Sequence, residues 1–213
     1  MPLLFAMIGY FLIYVVCLPV IRPMLSVFDM MTLEESPDFE RQPDFEQLFF
    51  PEGIPDDDSP ETDSIPAGDI TFPQYNTCYG EIEIVDAGIK APLYYGDTAA
   101  VLKRGAGQYI GSSFPGCGST VLVGGHNNTY FHGLKDVEIG DQITLRTHYA
   151  TYVYEVTDMS IKKHNDRSAY DLGASRETLV LYTCYPFNML GLTPDRYFVT
   201  ARLVSGPSVE IYQ

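Results

Sequence analysis

Thr178-Leu179-Val180-Leu181-Tyr182-Thr183-Cys184-Tyr185-Pro186 is the stretch on which the fold of this chain turns. Its aliphatic, β-branched and aromatic side chains read as a buried strand over Thr178 to Thr183, and Tyr185-Pro186 ends that strand in a turn or loop. Cys184 therefore stands at a strand-to-loop exit, where a side chain can face a groove. The pattern recurs upstream in Thr120-Val121-Leu122-Val123-Gly124-Gly125, which His126 follows. The two glycines are expected to turn the backbone and set the imidazole at the rim. A third strand, Tyr197 to Leu203, is preceded by Arg196 after Leu192-Thr193-Pro194-Asp195.

Working outward, alternation or β-branched enrichment predicts further strands at 79–85, 89–95, 142–149 and 151–159, and the Ser119 to Val123 and Tyr197 to Val204 segments complete the set. Gly105-Ala106-Gly107, Phe114-Pro115-Gly116 and Gly140-Asp141 read as turns. Only Asp97 to Leu102 has a helical cast. Seven or more short strands over roughly 140 residues predict a mainly β domain, a barrel or sandwich whose closure removes exposed edges. Gly105, Gly107 and Gly111 imitate a dinucleotide fingerprint, but no strand-helix-strand unit surrounds them, so no cofactor is expected.

Charge divides the chain. It carries 28 acidic and 13 basic residues, a formal charge of −15. Pro2 to Ile21 contains no charged residue, and a helix of about 20 residues spans about 30 Å, the hydrocarbon thickness of a bilayer. Residues 1–24 are thus expected to form a retained transmembrane anchor. Arg22 on its C-terminal flank leaves orientation ambiguous by the positive-inside rule. Residues 25–70 are expected to be an acidic, proline-rich linker, since 29–69 hold 14 acids and the single base Arg41. Within it, two Pro-Asp-Phe repeats lead to Leu48-Phe49-Phe50, an apolar run that could dock on the folded domain or remain a sticky spot. The predicted domain, 71–213, is nearly neutral by comparison: residues 70–213 hold 14 acids and 11 bases, a net of −3. Such a chain lacks the clustered Lys and Arg that phosphate backbones require, so nucleic acid is excluded as a partner. Its cysteines at 17, 78, 117 and 184 form no CxxC pair and no zinc spacing, so no metal is expected.

Chemistry then falls to Cys184. A thiol with an ordinary pKa near 8.5 needs a neighbouring cation to become a ready nucleophile at neutral pH, and His126 is the candidate. If adjacent strands bring His126, Cys184 and Arg196 to one end of a barrel, the three converge. Singly, each has a plainer reading: a small buried hydrophobe for the cysteine, a solvated gatekeeper for the arginine. A papain-like peptidase would place its Cys before its His at a helix start. A non-catalytic tethered β-barrel would use the same groove only to bind.

Three segments break the tie. Leu181-Tyr182-Thr183-Cys184-Tyr185-Pro186-Phe187, Gly125-His126-Asn127 and Arg196-Tyr197-Phe198-Val199 resemble the signature segments of sortases, the membrane-anchored cysteine transpeptidases of Gram-positive bacteria. Tyr79 to Ile84, Pro92 to Asp97 and Gly105 to Gly111 resemble the opening strands and first helix region of the same fold. The likeness spans about residues 78 to 204, in the order His, Cys, Arg, and is most like class D. It departs at Val180, where the family usually has Thr.

The resemblance implies an eight-stranded closed barrel with short helices. It implies that the Cys184 thiolate attacks a Leu-Pro-x-Thr-Gly/Ala-type sorting signal, that His126 exchanges protons with leaving and incoming amines, and that Arg196 stabilises the oxyanion. Thr183, Tyr185 and Asn127 would touch substrate. Partners would be surface proteins bearing a C-terminal sorting signal and a peptidoglycan-precursor amine, with joining of pilin subunits as the alternative. The barrel would be extracellular on a single-pass cell-membrane anchor. His132 is expected on the His126 loop, His148 and His164 at the surface, and a Cys78–Cys117 disulfide is conceivable.

Overall fold

The computed structural model describes residues 64–187 and 193–210, together with Met7. The anchor expected over 1–24 and the linker through residue 63 lie outside the described residues, Met7 excepted. Residues 64–70, which composition groups with the linker, belong to the folded body. Ser64–Pro66 forms β1, which pairs in parallel with β10 (Ser208–Glu210), and Ile70 is buried.

Eight strands close a barrel. They are β2 (Cys78–Ile84), β3 (Ile89–Tyr95), β4 (Ala106–Gln108), β5 (Thr120–Gly124), β6 (Gln142–Thr147), β7 (Thr151–Lys163), β8 (Thr178–Tyr185) and β9 (Asp195–Ser205), in the spatial order β2-β3-β4-β5-β8-β9-β7-β6. The strand β4 is absent from the sequence reading, which takes Gly105-Ala106-Gly107 for a turn. A side chain at 105 would lie 2.3 Å from Pro92 O, and one at 107 would lie 2.5 Å from Gly96 O. These glycines therefore serve close backbone approach within a sheet. The short helix α1 (Ala99–Leu102) is capped by Thr98, whose Oγ1 accepts from Val101 N–H.

Interior positions alternate along the strands. Ile82, Ile84, Ile89, Ala91, Leu93, Val121, Val123, Ile143, Leu145, Leu179, Leu181, Val199 and Ala201 fill the barrel. Strands β5, β8 and β9 are buried on their outer face as well, where Leu122, Val180 and Phe198 pack with Ala169 from the β7–β8 connection. This is why Val121-Leu122-Val123 and Leu179-Val180-Leu181 are unbroken apolar runs, whereas Gln142–Thr147 alternates. The doubly covered part of the sheet also carries the candidate site.

Candidate active site

Strand register brings the three predicted residues into one row. In the antiparallel pair β8–β9, Cys184 lies opposite Arg196. In the parallel pair β5–β8 the last partners are Gly124 and Tyr182. His126 lies two residues beyond Gly124, just as Cys184 lies two beyond Tyr182. The Gly125 N–H continues the ladder by donating to Tyr182 O at 3.1 Å.

Side-chain parity puts the row on the outer face. Leu179 and Leu181 point into the barrel while Val180 points outward, so Cys184 shares the outward parity. The same count from Val199 and Phe198 assigns Arg196 to that face. A side chain at Gly125 would meet the ring of core residue Phe131 at 2.6 Å, so Gly125 faces inward and His126, the next residue, outward. Neither Gly124 nor Gly125 has a positive φ. They fit because Tyr182 and Phe131 rings press against them, rather than because the chain must turn there, as the sequence reading held.

Buried polar contacts lock this end of the sheet. Thr183 Oγ1 donates to Gly125 O at 2.7 Å, and Asn127 Nδ2 donates to Pro186 O at 3.1 Å, tying the His126 and Cys184 loops together. Thr183 and Asn127 are buried in this structure, and Tyr185 is half-buried, stacked on Tyr197 at 6.4 Å between ring centroids. Arg196 Nη1 donates to Thr193 O and Asp195 O, both at 2.8 Å. Among the described residues, all its side-chain hydrogen bonds run through Nη1 and Thr193 or Asp195. Burial pulls the His126 imidazole below its ordinary pKa, and the nearby Lys103 ammonium adds to the effect.

Two contributors escape the sequence reading. Tyr182, one outward position before Cys184, lies against Phe198 (6.1 Å between centroids) and donates to Asp97 Oδ2 at 3.4 Å. Alternation from Cys184 was the available signal. Lys103, which follows α1, bears on His126 only through tertiary packing: Leu102 lies beside Gly107, and Gly107 pairs with Gly124. The connection after β7 is fastened over the outer face by Ser119 Oγ and Thr120 Oγ1, which donate to Leu172 O and Asp171 O.

The remaining singles stay apart from the row. His132 contacts Asn127 O at 2.9 Å through Nδ1 and Lys135 Nζ at 2.8 Å through Nε2. His148 and His164 are exposed. Cys78 and Cys117 are separate free thiols. Burial pushes the Cys78 thiol up to about 11, and burial with the Glu177 carboxylate raises that of Cys117, so neither is a ready nucleophile. Among the described residues, no three His, Cys, Asp or Glu side chains converge as a metal site.

Comparison with known proteins settles the family. The Sortase domain profile matches residues 82–204, and the whole row lies inside that span. The chain belongs to the sortase family. This sortase is 32% identical over 133 residues to Sortase D of Bacillus subtilis (strain 168), covering 62% of this chain and 67% of that one. The catalytic domain of B. anthracis SrtD is 29% identical with a TM-score of 0.55, covering 65% of this chain and 95% of that domain. A Clostridium perfringens Sortase D5 transpeptidase shares the fold at a TM-score of 0.56 and 22% identity, over 62% of this chain and 82% of its own. The chain is therefore a sortase transpeptidase, an eight-stranded barrel enzyme of acyl transfer.

Proposed function

We propose that this sortase cleaves a Leu-Pro-x-Thr-Gly/Ala-type sorting signal and joins the protein bearing it to a cell-wall amine, working outside the cell from an anchor at residues 1–24. What carries the reading is the row His126, Cys184, Arg196 on adjacent strands of one outer face. In the first step the Cys184 thiolate forms a bond to the Thr carbonyl carbon. The C–N bond then breaks as His126, protonated, gives its proton to the departing amine. In the second, an acceptor amine attacks the thioester, His126 takes the surplus proton, and the C–S bond breaks. The guanidinium of Arg196, braced at Nη1, offers its remaining N–H groups to the oxyanion and the signal. Leu122, Val180 and Phe198 are covered by the β7–β8 connection, so the half-buried Tyr182 ring, one outward position before Cys184, is the apolar floor beside the row. Thr183 and Asn127, being buried, act here by holding the two loops in register.

Full-length protein incubated with a sorting-signal peptide tests this. Release of the C-terminal fragment and its replacement by an added amine are expected, and peptide bound but uncut would sink the proposal. Two variants refine it. Gly124→Ala sets a methyl 2.6 Å from the Tyr182 ring, and the displaced floor should lower kcat/KM on the order of 10- to 100-fold while the barrel stays folded by circular dichroism. Lys103→Met removes a charge that disfavours imidazolium, so the His126 pKa rises. The limb of the kcat/KM profile governed by His126 should move to higher pH; an unmoved limb would divorce Lys103 from His126.

A further inference from the structure

We propose that Leu48-Phe49-Phe50 seats on an aromatic patch of its own barrel, at the end opposite Cys184. Strands β5 and β8 both run toward the Cys184 row, whereas β4 is antiparallel to β5 and β3 is parallel to β4, so β3 and β4 end at the far mouth. There Phe114 packs against Phe72 and Tyr95 at 5.1 and 5.0 Å between centroids, and Tyr95 OH donates to Ile110 O. Tyr75 lies against Gly96, the residue after β3. Phe72, Tyr75 and Ile110 leave 38%, 51% and 52% of their surface exposed, a cluster of large apolar side chains at one site rather than a scatter.

The occupant is argued from chain length and composition. Between residues 29 and 63, Leu48-Phe49-Phe50 is the one run of three consecutive apolar residues, set between Glu46 and Glu52 in an otherwise acidic stretch. Thirteen residues, 51–63, separate it from β1, and extended they reach roughly 45 Å. β1 itself lies near the patch: Ile65 pairs with Val209, and Val209 N–H donates to Gly116 O, two residues from Phe114. The run can therefore return to the patch without strain, and both surfaces leave water together. On a membrane-anchored chain, this would shorten the free tether to the residues before Leu48.

The chain contains no tryptophan, so Phe49→Trp installs a single reporter. In the full chain held in lipid nanodiscs, its emission should be blue-shifted and protected from acrylamide relative to the urea-unfolded state. Tyr75→Ser/Ile110→Ser should return both readouts toward the unfolded values. Ile110→Ser alone serves if the double variant does not fold. Unfolded-like emission in the otherwise unaltered full chain overturns the proposal. So does a blue shift that survives the patch substitutions, which would report lipid contact, or one that grows with protein density, which would report a second copy.

Discussion

Cys184→Ala is expected to remove both cleavage and transfer, leaving a folded barrel that still binds peptide. Without a sulfur at the strand exit no thioester forms, and neither His126 nor Arg196 can substitute for it. His126→Ala should lower kcat/KM by about 10^3, within the range for loss of a positioned acid-base group. Because the two residues act in one step, the double variant should be no worse than Cys184→Ala alone. Mass spectrometry of the trapped acyl-enzyme, with turnover measured in parallel, checks this. Thioester on Cys78 or Cys117, or undiminished turnover in Cys184→Ala, would refute the assignment.

A second large effect is expected far from chemistry. Glu177 Oε1 accepts from Gly116 N–H at 3.0 Å and Tyr154 O–H at 2.7 Å, while Oε2 accepts from Gly118 N–H at 3.0 Å. Gly116 and Gly118 have φ of +87° and +78°, so the loop offers its amides in a concave arrangement that one carboxylate fills. Glu177→Ala strands all three donors. Each orphaned donor costs about 1–3 kcal/mol when buried, and because Glu177 is only half-buried, water replaces part of the loss. A total near 3 kcal/mol is expected, roughly a 10 °C fall in Tm for a domain of this size. Thermal unfolding with turnover at low temperature separates this from catalysis: stability should drop while kcat/KM holds. A Tm within 2 °C of the parent, to within about 0.5 kcal/mol, would show the contacts to be idle.

Much of the fold was legible because burial leaves a mark on residue type. The run Ile89–Tyr95 is the predicted strand at both ends, and the others differ by a few residues. What escaped was short or masked by glycine. β4 has three residues, Gly107 within it and Gly105 just before it are needed small by the backbone at Gly96 and Pro92, and no local pattern distinguishes that need from a turn. β1 and β10 have three residues each and depend on one another across the whole length of the domain.

The candidate site divides the same way. Residue type and position made His126 and Cys184 candidates as reactive side chains at strand exits and Arg196 a candidate cation at a strand start, and the resemblance of their flanking segments to sortases chose this reading over the plainer ones. That the three occupy one row required the register of β5, β8 and β9, in which β5 pairs with a strand about 60 residues on and Cys184 meets Arg196 across an antiparallel pair, and no local preference encodes either register. The burial of Thr183 and Asn127, the Tyr182 ring against Gly124, Lys103 beside His126 and the Glu177 clasp were likewise decided only when the sheet closed. Local sequence sets which faces must leave water; closure sets which polar atoms then find each other.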